Sequence, residues 1–231
     1  MPEARGRLRG FERPFSPNQL FSWVGNAIIT GSFYALCLLV LLRPALGCGK
    51  TVVGIMLLAH AALVLGGFAC WLFLEMHPPT RESVFSRMLP DSQRWTKVRY
   101  CREHKDVVPG LDHFCTWLNT SIGRSNYIPF YLIALFGTLQ YALHVAILVF
   151  LLAACGRSDL GVAMQTLIGI CVVLGTLVWC AYVALFVFHT HLSVHGIGTY
   201  DWILKQQQRP AIELAPRGHD RVPPSDGRTG P

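Results

Sequence analysis

The chain has 231 residues, of which 52% are hydrophobic and only 14% charged, with a formal net charge of +7. The apolar residues come in blocks too long for a soluble domain of this size to bury, which excludes an ordinary water-soluble fold. The basic excess carries no sign of nucleic-acid binding and reads first as a topology signal.

Residues 1–20 form a polar segment with Arg5, Arg7, Arg9 and Arg13. Four blocks without Asp, Glu, Lys or Arg follow, at Phe21 to Leu42, Val52 to Leu74, Ile128 to Cys155 and about Leu160 to Phe188. A spanning helix needs about 20 apolar residues, and each block meets that length. The first block is too long for a signal-peptide core and has no clean small-residue cleavage site, so it reads as retained. Four helices bring both ends to one side. All of the 20 Lys and Arg except Arg43, Lys50 and Arg157 fall in the N-terminal segment, the 75–127 loop and the 189–231 segment. The positive-inside rule therefore puts these three regions in the cytosol. The expected fold is an all-α integral membrane protein: transmembrane helices 1 and 2 within 21–74, a cytosolic loop over 75–127, and helices 3 and 4 within 128–188.

Residues 75–98 have Pro pairs and no sustained period, which predicts an irregular loop. From about Arg209 the chain is rich in Pro, Gly and charge, which predicts disorder. The eight cysteines suggest no disulfide framework. Cys37, Cys70, Cys155, Cys171 and Cys180 lie in or at the ends of helices as small apolar residues, and Cys48 has no obvious partner. Cys101 and Cys115 lie in the reducing cytosolic loop, where metal binding or catalysis is expected before pairing. His60 and His144 read as hydrogen-bonded helix contacts. His189-Thr190-His191 reads as interfacial histidines at the end of the fourth helix; a di-iron histidine box would need several such clusters on one face.

The chemistry sits in Asp112-His113-Phe114-Cys115, just ahead of the third apolar block. A thiol at its reference pKa of about 8.5 is only a few per cent thiolate at neutral pH, so a nucleophilic Cys needs a base. Asp112, His113 and Cys115 supply base-orienter, base and nucleophile within four residues. Spacing alone does not prove contact, because in a turn these side chains can diverge.

Asp-His-Phe-Cys resembles the signature tetrapeptide of the DHHC protein S-acyltransferases, the palmitoyltransferases. In that family a Trp, a Cys, an Asn and a Phe follow, and Trp117, Asn126 and Phe130 stand at the Trp, Asn and Phe positions. The family's Thr-Thr-x-Glu motif after the last helix has its counterpart in Gly198-Thr199-Tyr200-Asp201, where Thr199 matches, Asp201 replaces Glu and Gly198 departs. The similarity runs from about residue 20 to 205.

What departs is the metal pattern. The family holds two structural zinc ions in this loop, and the corresponding positions here keep only Cys101 and His104. Phe114 stands for the second tetrapeptide His and Ser121 for the later Cys. One zinc site is therefore expected to be lost and the other at most weak, unless His77 or Asp106 is recruited. Without metal, Val107, Pro109, Leu111, Phe114, Trp117 and Leu118 are expected to form a small apolar cluster.

The resemblance implies transfer of a palmitoyl or other long-chain acyl group from acyl-coenzyme A, through a Cys115 thioester, to cysteines of cytosol-facing substrate proteins. Lys97, Arg99, Arg102 and Arg124 can meet the coenzyme phosphates, although positive-inside topology by itself explains them. Membrane lipids are the other expected partners, with homo- or hetero-oligomers left open. The setting fits a multi-pass protein of the Golgi or endoplasmic reticulum, with the plasma membrane as an alternative. The rival reading is a catalytically inactive four-helix scaffold, or a regulator of active relatives.

Overall fold

The computed structural model describes residues 9–43, 49–155 and 160–213; Cys48 and the tail beyond residue 213 lie outside them. Four helices are long and apolar enough to cross a membrane: α1 (Pro17–Leu41), α2 (Lys50–Met76), α4 (Tyr127–Ala154) and α5 (Val162–Val194). Between α2 and α4 lie a 3-10 turn (Val84–Arg87), the short α3 (Gln93–Thr96) and four strands, β1 (Val98–Cys101), β2 (Asp106–Pro109), β3 (His113–Cys115) and β4 (Thr120–Ile122). A last helix, α6 (Thr199–Glu213), follows α5.

Local chemistry sets the ends of these elements. Ser16 caps α1: its Oγ accepts from Gln19 N while Gln19 Oε1 accepts from Ser16 N, and Pro17 occupies the first helical position, where no amide donor is needed. Gly49 and Gly161 precede α2 and α5 with φ of 42° and 69°, in the left-handed region that favours glycine. Ahead of α4, Asn126 accepts from Gly123 N at 2.8 Å and donates to Ser121 O at 2.9 Å, so one buried amide fixes the turn from β4 into the helix.

The bundle packs around Phe33, Val40, Val53, Ile147, Leu148, Leu151 and Ile168, all nearly or fully buried. Ile55, Leu58, Leu65, Val173 and Leu177 are more than 60% exposed or close to it and face outward, as lipid-facing positions do. His60 forms its expected hydrogen bond, 2.8 Å from Nδ1 to Tyr34 Oη. His144 differs: it is fully buried with its ring stacked on Phe33 at 4.2 Å, and no hydrogen bond to either ring nitrogen is found. Cys155, at the end of α4 remote from the strands, also departs from expectation, because it is disulfide-bonded. Cys37, Cys70, Cys101, Cys115, Cys171 and Cys180 are free.

Residues 75–98, expected to be irregular, hold only the 3-10 turn and α3 between the end of α2 and the start of β1, and the chain beyond them forms two antiparallel hairpins, β1 with β2 and β3 with β4. Two small cores hold them. Leu74, Trp95, Leu118, Ile122, Tyr127 and Phe130 join the second hairpin to the ends of α2 and α4, and Cys101, Val108 and Leu111 pack with Phe114. The expected cluster is thus split. Strand alternation buries Val108 and leaves Val107 exposed, Leu118 joins the first core, and Trp117 is half exposed against Phe21.

The helices exceed what a bilayer needs. At about 1.5 Å per residue, the 33 residues of α5 reach about 50 Å against a hydrocarbon core of about 30 Å. The surplus carries His189 and Ser193 out to the level of the hairpins.

Candidate active site

The conformation of β3 resolves what spacing leaves open. Alternate side chains of a strand point to opposite faces, so His113 and Cys115 share one face and Phe114 takes the other. His113 and Cys115 turn toward the helices, where the His113 ring lies 5.1 Å from Phe130 and 5.5 Å from His189. Phe114 turns toward Cys101, Val108 and Leu111. The residue at which the tetrapeptide departs from the resembled signature is therefore a packing residue of the other core.

Asp112 is 1% exposed, and its carboxylate is saturated with donors. Oδ1 accepts from Arg94 Nη2 at 3.2 Å and Thr199 N at 3.1 Å; Oδ2 accepts from His113 Nδ1 at 2.9 Å and Thr199 Oγ1 at 2.6 Å. Its backbone carbonyl accepts from Tyr200 N as well. The carboxylate thus caps α6, where free amides and the helix dipole favour negative charge. Burial pushes the Asp112 carboxyl up, but the hydrogen bond and charge of His113, with Thr199 and Arg94, hold it well below the usual carboxylate range.

With Nδ1 of His113 donating to the ionised Asp112, Nε2 is the nitrogen left to face Cys115. Burial alone would lower the His113 pKa. The hydrogen bond that His113 donates to Asp112, the bond to Cys115 and the nearby negative charge outweigh it and raise the pKa to about 9. Asp112, His113 and Cys115 thus come together in the order in which they stand in the chain.

Other residues of the sequence pattern take supporting places. Phe130 is 3% exposed and forms a wall against the His113 ring. Thr199 binds Asp112, whereas Asp201 binds Arg99 Nη2 at 2.5 Å. Arg99 also donates to Leu111 O and lies over the Tyr200 ring. Of the basic residues read as phosphate partners, Arg99 and Arg124 are held by Asp201 and Asp91, while Lys97 and Arg102 stand exposed.

Three residues of the site were not singled out by the sequence for this role. Arg94 is sandwiched over Trp95 and Tyr127, with Cζ 4.2 and 4.7 Å from the ring centroids. Tyr127 Oη lies 3.4 Å from His189 Nδ1 and 3.0 Å from Ser193 Oγ. His189 joins the site because α5 overruns the bilayer; no local motif marks it. Arg94 has a weak signal in its Trp neighbour and nothing that points to Asp112.

The positions that hold metal in the resembled pattern lie between the two hairpins. Among the described residues, no three or more His, Cys, Asp or Glu side chains converge as ligands. Cys101, His104, Phe114 and Ser121 do converge: Ser121 Oγ lies 3.1 Å from Cys101 Sγ and 2.7 Å from His104 Nδ1, and the Phe114 ring is 5.9 Å from that of His104. Phenyl and hydroxyl groups are not ligands of closed zinc sites, so this set does not fit a structural zinc. His77 stacks on Phe73 and bonds Arg81 O, and Asp106 bonds the adjacent Val107 amide.

Four helices long enough to cross a membrane, with Asp112, His113 and Cys115 gathered on and beside a strand at one end, define a polytopic membrane fold. A model of the DHHC palmitoyltransferase family matches residues 91–206, half of the chain. Over 114 residues the chain is 27% identical to the Probable protein S-acyltransferase 15 of Arabidopsis thaliana, covering 46% of this chain and 42% of that relative. The chain thus spans less than half the length of the curated relative it matches. It belongs to the DHHC palmitoyltransferase family, and it is an integral membrane protein.

Proposed function

We propose that this chain is an active protein-cysteine S-acyltransferase that carries a long-chain acyl group from acyl-coenzyme A to protein cysteines as a Cys115 thioester. The observation that carries the reading is the saturated Asp112 carboxylate, which orients His113 with Nε2 toward Cys115. A degenerate scaffold has no use for four donors on one buried carboxylate, two of them from a residue 87 positions away.

In the first step His113 in its neutral form, the minor one below a pKa of about 9, takes the Cys115 thiol proton, and sulfur attacks the thioester carbonyl carbon of the acyl-coenzyme A. The carbon–sulfur bond to the coenzyme breaks, and the departing thiolate takes the proton back from His113. In the second step a substrate cysteine gives its proton to His113 and attacks the Cys115 thioester, and Cys115 leaves as thiolate and is reprotonated. A thioester replaces a thioester at each stage, so no other energy source is needed. Asp112 stays ionised throughout and stabilises the imidazolium. Burial of the acyl chain among the helices contributes about 0.8 kcal/mol per CH2.

The reading places the hairpins and both termini in the cytosol, in the Golgi or endoplasmic reticulum membrane. Support comes from the basic residues of the hairpin side and from the disulfide of Cys155 at the other side, since such bonds persist in oxidising compartments. The test is incubation of purified full-length protein with alkyne-tagged palmitoyl-coenzyme A. Hydroxylamine-sensitive label is expected on wild type and not on Cys115→Ser. Equal labelling of the two, or none on a folded wild type, sinks the proposal, and the second outcome favours the inactive scaffold.

A further inference from the structure

The two hairpins meet tip to flank. Cys101 ends β1 and His104 lies in the turn before β2, while Phe114 and Ser121 are a cross-strand pair of β3 and β4. Each hairpin thus brings two residues to one point. Ser121, His104 and Cys101 are 0%, 1% and 3% exposed, so their polar atoms must be satisfied from within.

Donor accounting orders the contacts. Ser121 has one hydroxyl proton and gives it to Cys101 Sγ at 3.1 Å. The 2.7 Å contact with His104 Nδ1 is then donated by the imidazole. Cys101 Sγ donates in turn to Glu103 Oε2 at 3.3 Å. The result is a directed chain from His104 through Ser121 and Cys101 to a carboxylate at the surface. The Phe114 ring closes the remaining side with its edge contact to His104 and its packing on Cys101, Val108 and Leu111.

A tetrahedral zinc with bonds of about 2.0–2.3 Å keeps its ligand atoms about 3.5 Å apart. The Ser121 hydroxyl stands 3.1 Å from the sulfur and 2.7 Å from the imidazole nitrogen, closer than that spacing, and the three groups satisfy one another by hydrogen bonds. We infer that the cross-link between the hairpins is metal-free in this chain: the Ser121 hydroxyl bridges Cys101 and His104, Phe114 fills the fourth position, and the module folds without zinc. The same geometry makes the plug convertible. Phe114→His together with Ser121→Cys would place four N and S donors on two hairpins already in register. The inference concerns folding and metal and does not depend on whether Cys115 reacts.

The test uses the full chain in detergent, purified with zinc in the buffers, with elemental analysis and thermal unfolding with and without a chelator. Wild type is expected to carry far less than one zinc per chain, with a midpoint that the chelator moves by no more than about 1 °C, because only a bound ion couples the two. Ser121→Ala should lower the midpoint equally with and without chelator. Phe114→His/Ser121→Cys should retain about one zinc per chain, lose several degrees on chelation, and show a thiolate-to-metal absorption band with cobalt(II). About one tightly held zinc in wild type, or a midpoint drop of more than about 5 °C in chelator, overturns the inference. So does a folded double variant that takes up no metal. Should the double variant not fold, the wild-type measurements decide alone.

Discussion

At the scale of single residues, the site depends on one buried carboxylate. Asp112 has a depressed pKa and His113 a raised one, and their contributions to stability have opposite pH limbs. The Asp112 contribution is present above its ordinary value of about 3.9 and is lost as pH falls through its depressed folded value. That of His113 is complete below its ordinary value of about 6.5 and is lost as pH rises through about 9. Thermal midpoints in detergent should therefore plateau at about pH 5–6.5 and decline toward pH 9, and His113→Gln should flatten the alkaline limb. An unchanged alkaline limb in that variant would show that the pair does not titrate as described. For the chemistry, Asp112→Asn keeps the shape and removes the charge. The initial rate of acyl labelling of Cys115 is expected to fall by about 10²-fold or more, while an undiminished rate would remove Asp112 from the mechanism.

At the scale of elements, the hairpins decide which face each residue of the tetrapeptide presents. Asn126 ties the end of β4 to the start of α4 through two buried hydrogen bonds. Asn126→Ala leaves the Gly123 amide and the Ser121 carbonyl without partners and should cost about 1–3 kcal/mol for each group that finds no substitute. Trp117→Ala, at a half-exposed site against Phe21, should cost clearly less. Comparing the two midpoints separates a structural from a peripheral role for two residues that the family pattern treats alike, and a larger loss at Trp117 would contradict the contact analysis. The N-terminal segment braces the same hairpin. Ser16 Oγ donates to Thr116 O, Asn18 to Thr116 Oγ1 and Asn119 to Pro14 O, while Gln19 joins Gly10 to Glu75. None of this was legible beforehand, because contacts across 100 residues leave no local period. The hairpins were equally hidden: strands of three and four residues are too short for alternation to stand out from a loop rich in turn residues.

At the scale of the whole molecule, the bundle sets orientation and depth. Tags at both termini should be digested by protease added outside sealed microsomes, since both ends are read on the hairpin side; protection of either tag would reverse the proposed orientation. The sequence by itself determined the four spanning helices, because hydropathy over about 20 residues is a local property that the bilayer reads directly. It also singled out Asp112, His113 and Cys115 as the candidate site, because acid, imidazole and thiol are identified by their own chemistry. Only the tertiary structure decided which way they point, what pins Asp112, and what stands at the metal positions. Those depend on strand register, on the overrun of α5, and on the docking of Thr199 against a carboxylate 87 residues earlier, and packing of distant segments is not written in any local stretch of chain.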